Sequence, residues 1–167
     1  MRKNRGDIFV SPVWINKKIN TPPYKLGHWM LLNNMQDDFF LEGKPEKLFD
    51  HGLERALALR GFNVRKKGYW DFSTQNLKTF NKNIISLKIE KFDMLSYSTG
   101  INVTSEFNIK LTGYLGVPRE NKVYSAGITL QNKPVGFTIS DEKIKEEFDK
   151  ILTEAVNRVV SKLLEKI

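Results

Sequence analysis

A continuous apolar stripe near the C terminus constrains the fold of this chain more than any other feature. Its members recur at the period of an α-helix: Ile144, Phe148, Ile151, Leu152, Ala155, Val156, Val159, Val160, Leu163, Leu164 and Ile167. Ser140 stands before the stripe as a candidate N-cap, Asp141 and Glu142 lie in the first turn, and Lys162 and Lys166 lie near the end. Both ends therefore complement the helix dipole. The remaining positions are largely charged, so we predict a long surface helix whose apolar side covers a sheet.

A second helix is predicted from about Pro45 to Arg60. Proline is favoured at the first helical position, and Gly61 supplies the left-handed residue that ends a helix. A strand then begins directly at Phe62, so we expect this helix and strand to pack together. The predicted inward stripe comprises Leu48, Phe49, Leu53, Ala56 and Leu57, with Leu59 at its margin.

Alternation of apolar and polar residues predicts strands in the middle of the chain. Residues 101–112 alternate at period two, as do residues 85–89, and residues 96–100 read as the connection of a hairpin. The phase of the alternation shifts near Lys91 and Phe92, which predicts a β-bulge. Further strands are expected at 122–130 and at 8–15, where Pro12 places the strand at an edge or ends it early.

Residues 16–44 fit no regular element, and a connection of this length is uncommon in a compact domain. We therefore predict a single domain over 1–167 with a long irregular loop at about 16–44. The predicted fold class is α+β, with an antiparallel sheet of four or five strands and two helices packed on one face.

Five apolar residues of the long loop are candidates for binding a partner: Trp29, Met30, Leu31, Phe39 and Phe40. They cannot all be exposed without cost, because burying each contributes about 1.5–3 kcal/mol. They either fold back over the sheet, which is the ordinary outcome in a monomer, or contact another chain or a membrane surface.

The net charge of +8 and the pI of about 9.6 suggest nucleic-acid or anionic-lipid binding. Arg65, Lys66 and Lys67 form the best candidate anion-binding cluster, and Tyr69 and Trp70 follow them. Phosphate binding needs several cations that converge on one line, and the other basic residues are scattered. A soluble basic surface, with packed aromatic residues, is therefore favoured, and a cytoplasmic nucleic-acid-binding module is the alternative.

Composition excludes several kinds of chemistry. The chain contains no cysteine and two histidines, His28 and His51, which excludes disulfide frameworks, zinc ribbons, iron–sulfur sites and cysteine nucleophiles. Asp37 and Asp38 are the most enzyme-like carboxylate pair, but no second acidic cluster or histidine follows at useful spacing. We therefore predict no catalytic residue, no cofactor and no metal, and we read no membrane-spanning segment in the sequence.

Five segments resemble a group of bacterial envelope lipoproteins. They are the opening strand 8–13, the helix–glycine–strand 52–64, the strand 85–92, the alternating strand 101–112 and the helix from Asp141. In this order, over about half the chain, they resemble the YajG-like and ABC-transport-auxiliary lipoproteins, which are similar in plan to LptE.

The resemblance implies a non-enzymatic accessory role in transport or outer-membrane assembly, by contact with an envelope protein partner. It also implies a lipid tether on an N-terminal cysteine at the periplasmic side of the outer membrane. Because the chain has no cysteine, the resemblance implies that the export signal and the lipidated cysteine precede Met1. A cytoplasmic location is the alternative, and homo-oligomerisation stays open.

Overall fold

A computed structural model describes residues 5–17, 20–30, 36–99, 101–136 and 140–167. The strands in this part of the chain are β1 (Gly6–Val10), β2 (Trp14–Ile15), β3 (Lys25–Met30), β4 (Gln36–Phe40), β5 (Phe62–Lys66), β6 (Ile84–Thr99), β7 (Asn102–Val117), β8 (Lys122–Asn132) and β9 (Val135–Gly136). The helices are α1 (Pro45–Leu59), α2 (Thr74–Leu77) and α3 (Asp141–Leu164), and a 3₁₀ turn spans Pro118–Glu120.

The long strand β6 organises the sheet. Along one edge it pairs antiparallel with β7, which in turn pairs antiparallel with β8 and β9. Along its other edge β6 pairs with β1, β2 and β3 in succession, each of them parallel to it. Strand β5 adds parallel to β1, and β4 adds antiparallel to β3. The result is a mixed sheet that curls like a half barrel.

The prediction of a small antiparallel sheet with two helices is therefore wrong. The described residues form nine strands and three helices. Two of those strands, β3 and β4, lie within 16–44, which we interpreted as an irregular loop. The predicted first strand divides around Pro12 into β1 and β2. Alternation identifies a strand but not its partner, so the parallel pairing of short strands with β6 left no local signal.

The two long helices pack on one face of the sheet, as their stripes predict. Helix α1 ends before Gly61, whose φ is +88°, and α3 begins after Ser140, whose Oγ accepts the Lys143 N–H at 3.2 Å. Leu59 is 48% exposed, so its place at the margin of the inward stripe was wrong. Helix α3 comes very close to β7 at Gly113, where a Cβ would lie 2.3 Å from Val159 Cγ1.

A smaller cluster covers the opposite face at one end of the sheet. Phe9, Trp70, Leu77 and Ile84 form its buried centre. Trp70 is 1% exposed and its backbone N–H donates to Ser11 Oγ at 2.9 Å, so it packs as predicted. The same prediction was wrong for Tyr69, which is 61% exposed. The predicted bulge is also confirmed, because the β6–β7 register shifts between residues 89 and 91.

Candidate functional site

A groove of about 1010 Å³ lies between the β3–β4 hairpin and the first turns of α3. Aromatic and aliphatic side chains from four elements and a loop form its floor, and carboxylates line its sides. The lining residues are Trp29, Asp37, Asp38, Phe39, Phe40, Leu41, Glu42, Gly43, Leu48, Asp141, Glu142, Lys145, Phe148 and Asp149. We call this feature the acidic groove.

The hairpin is held in place by the far end of β6. Strand β3 runs parallel to it, with Trp29 beside Ser96, and Gly27 lies against the Met94 backbone. A Cβ on Gly27 would lie 1.8 Å from the Met94 carbonyl oxygen, so only glycine permits this approach. Across the hairpin, Trp29 pairs with Asp37, and the two side chains therefore lie on the same face.

Three of the five predicted partner-binding residues line the acidic groove. Trp29 and Phe39 are half-buried, and Phe39 packs against the main core. Phe40 is 45% exposed. Met30 is 42% exposed but does not line the groove, and Leu31 lies outside the described residues. The aromatic residues thus both fold back on the sheet and leave apolar surface open.

The charge of the groove is opposite to that of the chain. Six carboxylates and one lysine line it, whereas the whole chain carries +8. Two carboxylates have cationic partners: Lys145 Nζ lies 3.2 Å from Glu42 Oε2, and Lys25 Nζ lies 2.7 Å from Asp38 Oδ1. Among the described side chains, no cation lies within ion-pair distance of the other four, which are Asp37, Asp141, Glu142 and Asp149.

Asp37 and Asp38 do not converge on one binding site for a proton or a cation. Asp38 is held by Lys25, while Asp37 Oδ1 accepts the Asp38 N–H at 2.9 Å. His28 lies opposite Asp38 across the hairpin, and His51 lies on the exposed side of α1. Within the described ranges, no three histidine or acidic side chains are grouped to hold a metal ion. The acidic groove offers contact to apolar and cationic groups.

The predicted anion-binding cluster lies elsewhere, on and just after the edge strand β5. Arg65 Nη2 lies 3.2 Å from Asp7 Oδ2, and Lys66 Nζ lies 2.8 Å from Glu54 Oε1. Lys67 Nζ lies over the Phe9 ring, 4.6 Å from its centroid. A phosphate bound here would compete with two carboxylates for the same cations.

Sequence reasoning missed the wall that α3 contributes to the acidic groove. Asp141 and Glu142 were interpreted only as acids that suit the positive end of a helix dipole. Their position opposite Asp37 depends on how α3 lies across the sheet, which no local pattern records. The one available signal was the sequence Asp37–Asp38–Phe39–Phe40, which already combines the two chemistries of the groove.

Comparison with known proteins identifies the fold. No protein-family model and no curated protein sequence matches the chain. A solved structure from Xanthomonas campestris, of the family DUF330, matches with a TM-score of 0.60 at 12% identity, covering 95% of this chain and 84% of that chain. An uncharacterized protein matches with a TM-score of 0.54 at 8% identity, covering 98% of this chain and 99% of that chain.

A hypothetical protein from Chlamydia trachomatis matches with a TM-score of 0.52 at 10% identity, covering 96% of this chain and 95% of that chain. These three similarities establish a shared fold over nearly the whole chain. As for the membrane, none of the helices in the described ranges combines the length and apolar character needed to cross a bilayer.

Proposed function

We propose that this chain is a non-enzymatic accessory protein of the bacterial envelope, and that it acts by binding a protein partner in the acidic groove. The observation that carries the proposal is the groove itself, where half-exposed aromatic residues adjoin four carboxylates that have no cation within ion-pair distance among the described side chains. Apolar surface with a polar rim is typical of a protein-binding site.

The envelope setting is supported by the ordered resemblance of five segments to YajG-like and ABC-transport-auxiliary lipoproteins. The shared fold with the Xanthomonas protein of the family DUF330 is compatible with it. A lipid tether at the periplasmic side of the outer membrane, and a role in transport or outer-membrane assembly, belong to the same proposal. Fractionation of the source bacterium with an antibody tests the location. We expect the chain in the outer-membrane fraction, and recovery from the cytosol would refute the envelope setting.

Site-specific photo-crosslinking in the source bacterium tests the use of the groove. A photoreactive amino acid replaces Phe40, which is 45% exposed in the groove. The matched control replaces Tyr69, which is 61% exposed on the loop that covers the opposite face of the sheet. We expect an adduct with one envelope protein from position 40 and none from position 69. Equal adducts from both positions, or no adduct from position 40, would contradict the proposal.

Nucleic-acid binding by the basic surface is tested by filter binding of labelled single- and double-stranded oligonucleotides at low salt. The ion pairs of Arg65 and Lys66 and the ring contact of Lys67 lead us to expect no retention. Retention that falls steeply as salt rises would instead favour the nucleic-acid-binding alternative.

A further inference from the structure

Building on the proposed function, we infer that the partner presents an amphipathic helix to the acidic groove, with basic residues beside an apolar stripe on the same side of that helix. The failure of this inference would leave the proposed use of the groove intact, because a partner could also bind there through a loop. Three features of the described residues carry it: a part of the sheet on which neither long helix packs, a wall formed by one face of α3, and carboxylates that line the same space as the apolar floor.

The two long helices leave part of their side of the sheet without a packed helix. Helix α1 packs on β5 and β6, and α3 packs on β7 and β8. The β3–β4 hairpin lies at the far end of β6, where a groove of about 1010 Å³, rather than a packed interface, separates it from α3. Trp29 and Phe39 are half-buried on this side of the hairpin. A third helix in the groove would continue the layer that α1 and α3 begin, and would bury this apolar surface.

One face of α3 forms the opposite wall of the groove. Its lining residues are Asp141, Glu142, Lys145, Phe148 and Asp149. They recur at spacings of one, three, three and one residues, which places them on a single face of a helix. At about 1.5 Å per residue this face is about 12 Å long, slightly more than two helical turns. Helices that pack side by side contact each other through such faces, with their axes about 8–10 Å apart. The wall therefore suits a second helix of about two turns.

The floor and the carboxylates require a segment that presents apolar and basic residues on one side. Strand pairing places Asp37 on the same side of the hairpin as Trp29, and Phe39, two residues further along β4, shares that side. On α3, Phe148 and Asp149 both line the groove. In an extended segment, neighbouring residues point to opposite sides. In a helix, the residues at the margins of an apolar stripe lie on the same side as the stripe. Their long stems can contact the aromatic rings while their charges reach the carboxylates.

Charge complementarity selects basic residues for those margins. Asp37, Asp141, Glu142 and Asp149 have no cation within ion-pair distance among the described side chains. An incoming lysine or arginine would therefore gain a partner without displacing a cation already paired in the described part of this chain. Potentials of opposite sign across an interface also favour the correct partner over others. The groove thus favours a basic amphipathic helix, although the chain as a whole carries +8.

Fluorescence anisotropy with labelled synthetic peptides tests the inference. The probe is a peptide of about 14 residues, or four helical turns, with leucine at the helical period, lysine beside the leucine stripe and alanine elsewhere. One control has the same composition with leucine and lysine in strict alternation, and a second has glutamate in place of lysine. We expect the probe to bind at least about tenfold more tightly than either control. Equal binding of the probe and either control, or no binding of the probe, would overturn the inference.

Variants of the protein locate the binding. The double variant Asp37→Asn, Asp149→Asn removes one charge from each side of the groove, and the matched control Glu146→Gln, Glu165→Gln removes two charges from α3 outside the groove. All four side chains are exposed, so folding should persist, and thermal melts verify this. We expect the first variant to weaken binding of the probe about tenfold or more, with a reduced dependence on salt, and the control to leave it unchanged. Equal effects of the two variants would refute binding in the groove.

Proline substitution in the probe tests the helical conformation. Proline replaces a central alanine on the side opposite the leucine stripe, and serine replaces the same alanine in a matched control. Proline interrupts a helix without removing a residue that contacts the groove, so we expect it to weaken binding about tenfold or more and serine to leave binding nearly unchanged. A free peptide of this length is marginally helical in water, so circular dichroism should also show helix gained on binding.

Equal binding of the proline and serine peptides, or no gain of helical signal in the complex, would overturn the helical geometry. If the photo-crosslinks at position 40 persist in that case, the proposed function stands and the partner binds in another conformation.

Discussion

Replacement of Gly113 by alanine tests how closely α3 approaches the sheet. Gly113 lies on β7, and its Cβ would meet Val159 Cγ1 at 2.3 Å and Leu163 Cδ1 at 2.7 Å. Ordinary contacts between carbon atoms lie at about 3.5–4.0 Å. Both side chains are fully buried in α3, so the clash cannot be relieved toward solvent.

The expected loss is about 1–2 kcal/mol in the free energy of unfolding. Adding a methyl group to a packed core costs about 1–3 kcal/mol, because side chains leave their rotamers or the helix shifts. Alanine also restricts the unfolded chain more than glycine does, which raises the free energy of unfolding by about 0.4–1 kcal/mol and offsets part of the loss. Gly113 is not among the glycines with positive φ, so no backbone strain adds to the loss.

Gly127→Ala is the matched control. Gly127 lies on the neighbouring strand β8, and the nearest atom to its Cβ would be Thr112 Oγ1 at an ordinary 3.7 Å. We expect the free energy of unfolding of this variant to equal that of the wild type or to exceed it by up to about 1 kcal/mol. The gain would come only from the reduced conformational freedom of the unfolded chain.

Urea unfolding followed by circular dichroism measures the free energy of unfolding of both variants. The comparison uses transitions in which this free energy depends on urea concentration with the same slope as in the wild type. The double variant Gly113→Ala, Val159→Ala should lose less stability than the sum of its single variants, because the shortened side chain makes room for the new methyl group. If Gly113→Ala and Gly127→Ala have the same stability, the close packing of α3 on β7 is refuted.

Three further perturbations test individual contacts. Arg60 joins α1 to α3 by donating to Asn157 Oδ1 at 2.9 Å and to Ser161 Oγ at 2.8 Å, so Arg60→Ala should lower the free energy of unfolding by about 1–3 kcal/mol in urea titrations. A loss below about 0.5 kcal/mol would contradict this contact. Burial raises the pKa of Asp50 above 3.8; the folded state therefore binds protons more readily, and wild-type stability should fall as pH rises from 3.8 through the raised pKa. Asp50→Asn keeps an acceptor for the Val13 N–H and should gain stability relative to the wild type across that window, and parallel pH profiles would refute the assignment. Hydrogen bonds from the Ser73 side chain and backbone lower the pKa of Asp71 in the folded state. The ionised carboxylate therefore stabilises the fold above the pKa of the unfolded state, and this stabilisation is lost as pH falls through the folded pKa. Asp71→Asn should therefore destabilise the chain at neutral pH and not in strong acid, and an equal effect at both pH values would exclude this role.

Local patterns predicted the helices closely because their signals are local. The stripe and the Ser140 cap predicted α3 from Asp141, and Pro45 with Gly61 predicted the bounds of α1 within one residue. The β6–β7 hairpin was predictable in outline, since both strands alternate and adjoin in sequence. Its connection was placed wrongly, because residues 96–99, which we interpreted as the connection, belong to β6. The parallel pairing of β1, β2 and β3 with β6 was not, because each partner lies more than 60 residues away along the chain.

Only the aromatic part of the acidic groove was predictable from the sequence. Trp29, Phe39 and Phe40 were identified because large apolar side chains outside a periodic element demand burial or a partner. The acidic wall was not identified, because Asp141 and Glu142 are separated from Asp37 by about 100 residues of sequence. Arg65, Lys66 and Lys67 suggested an anion site because their partners are distant in the sequence. Arg65 pairs with Asp7 and Lys67 contacts the Phe9 ring, and both partners lie on β1.

Taken alone, the order of residues determined the two long helices and the long strands of the central hairpin, since periodicity and capping act over a few neighbours. Only the tertiary structure decided which strands pair in parallel, how the sheet curls, and which charges meet. Those outcomes depend on distant segments sharing one core, and backbone pairing itself is nearly indifferent to side-chain identity. The acidic groove belongs to this second class, because it exists only where the β3–β4 hairpin and α3 come together.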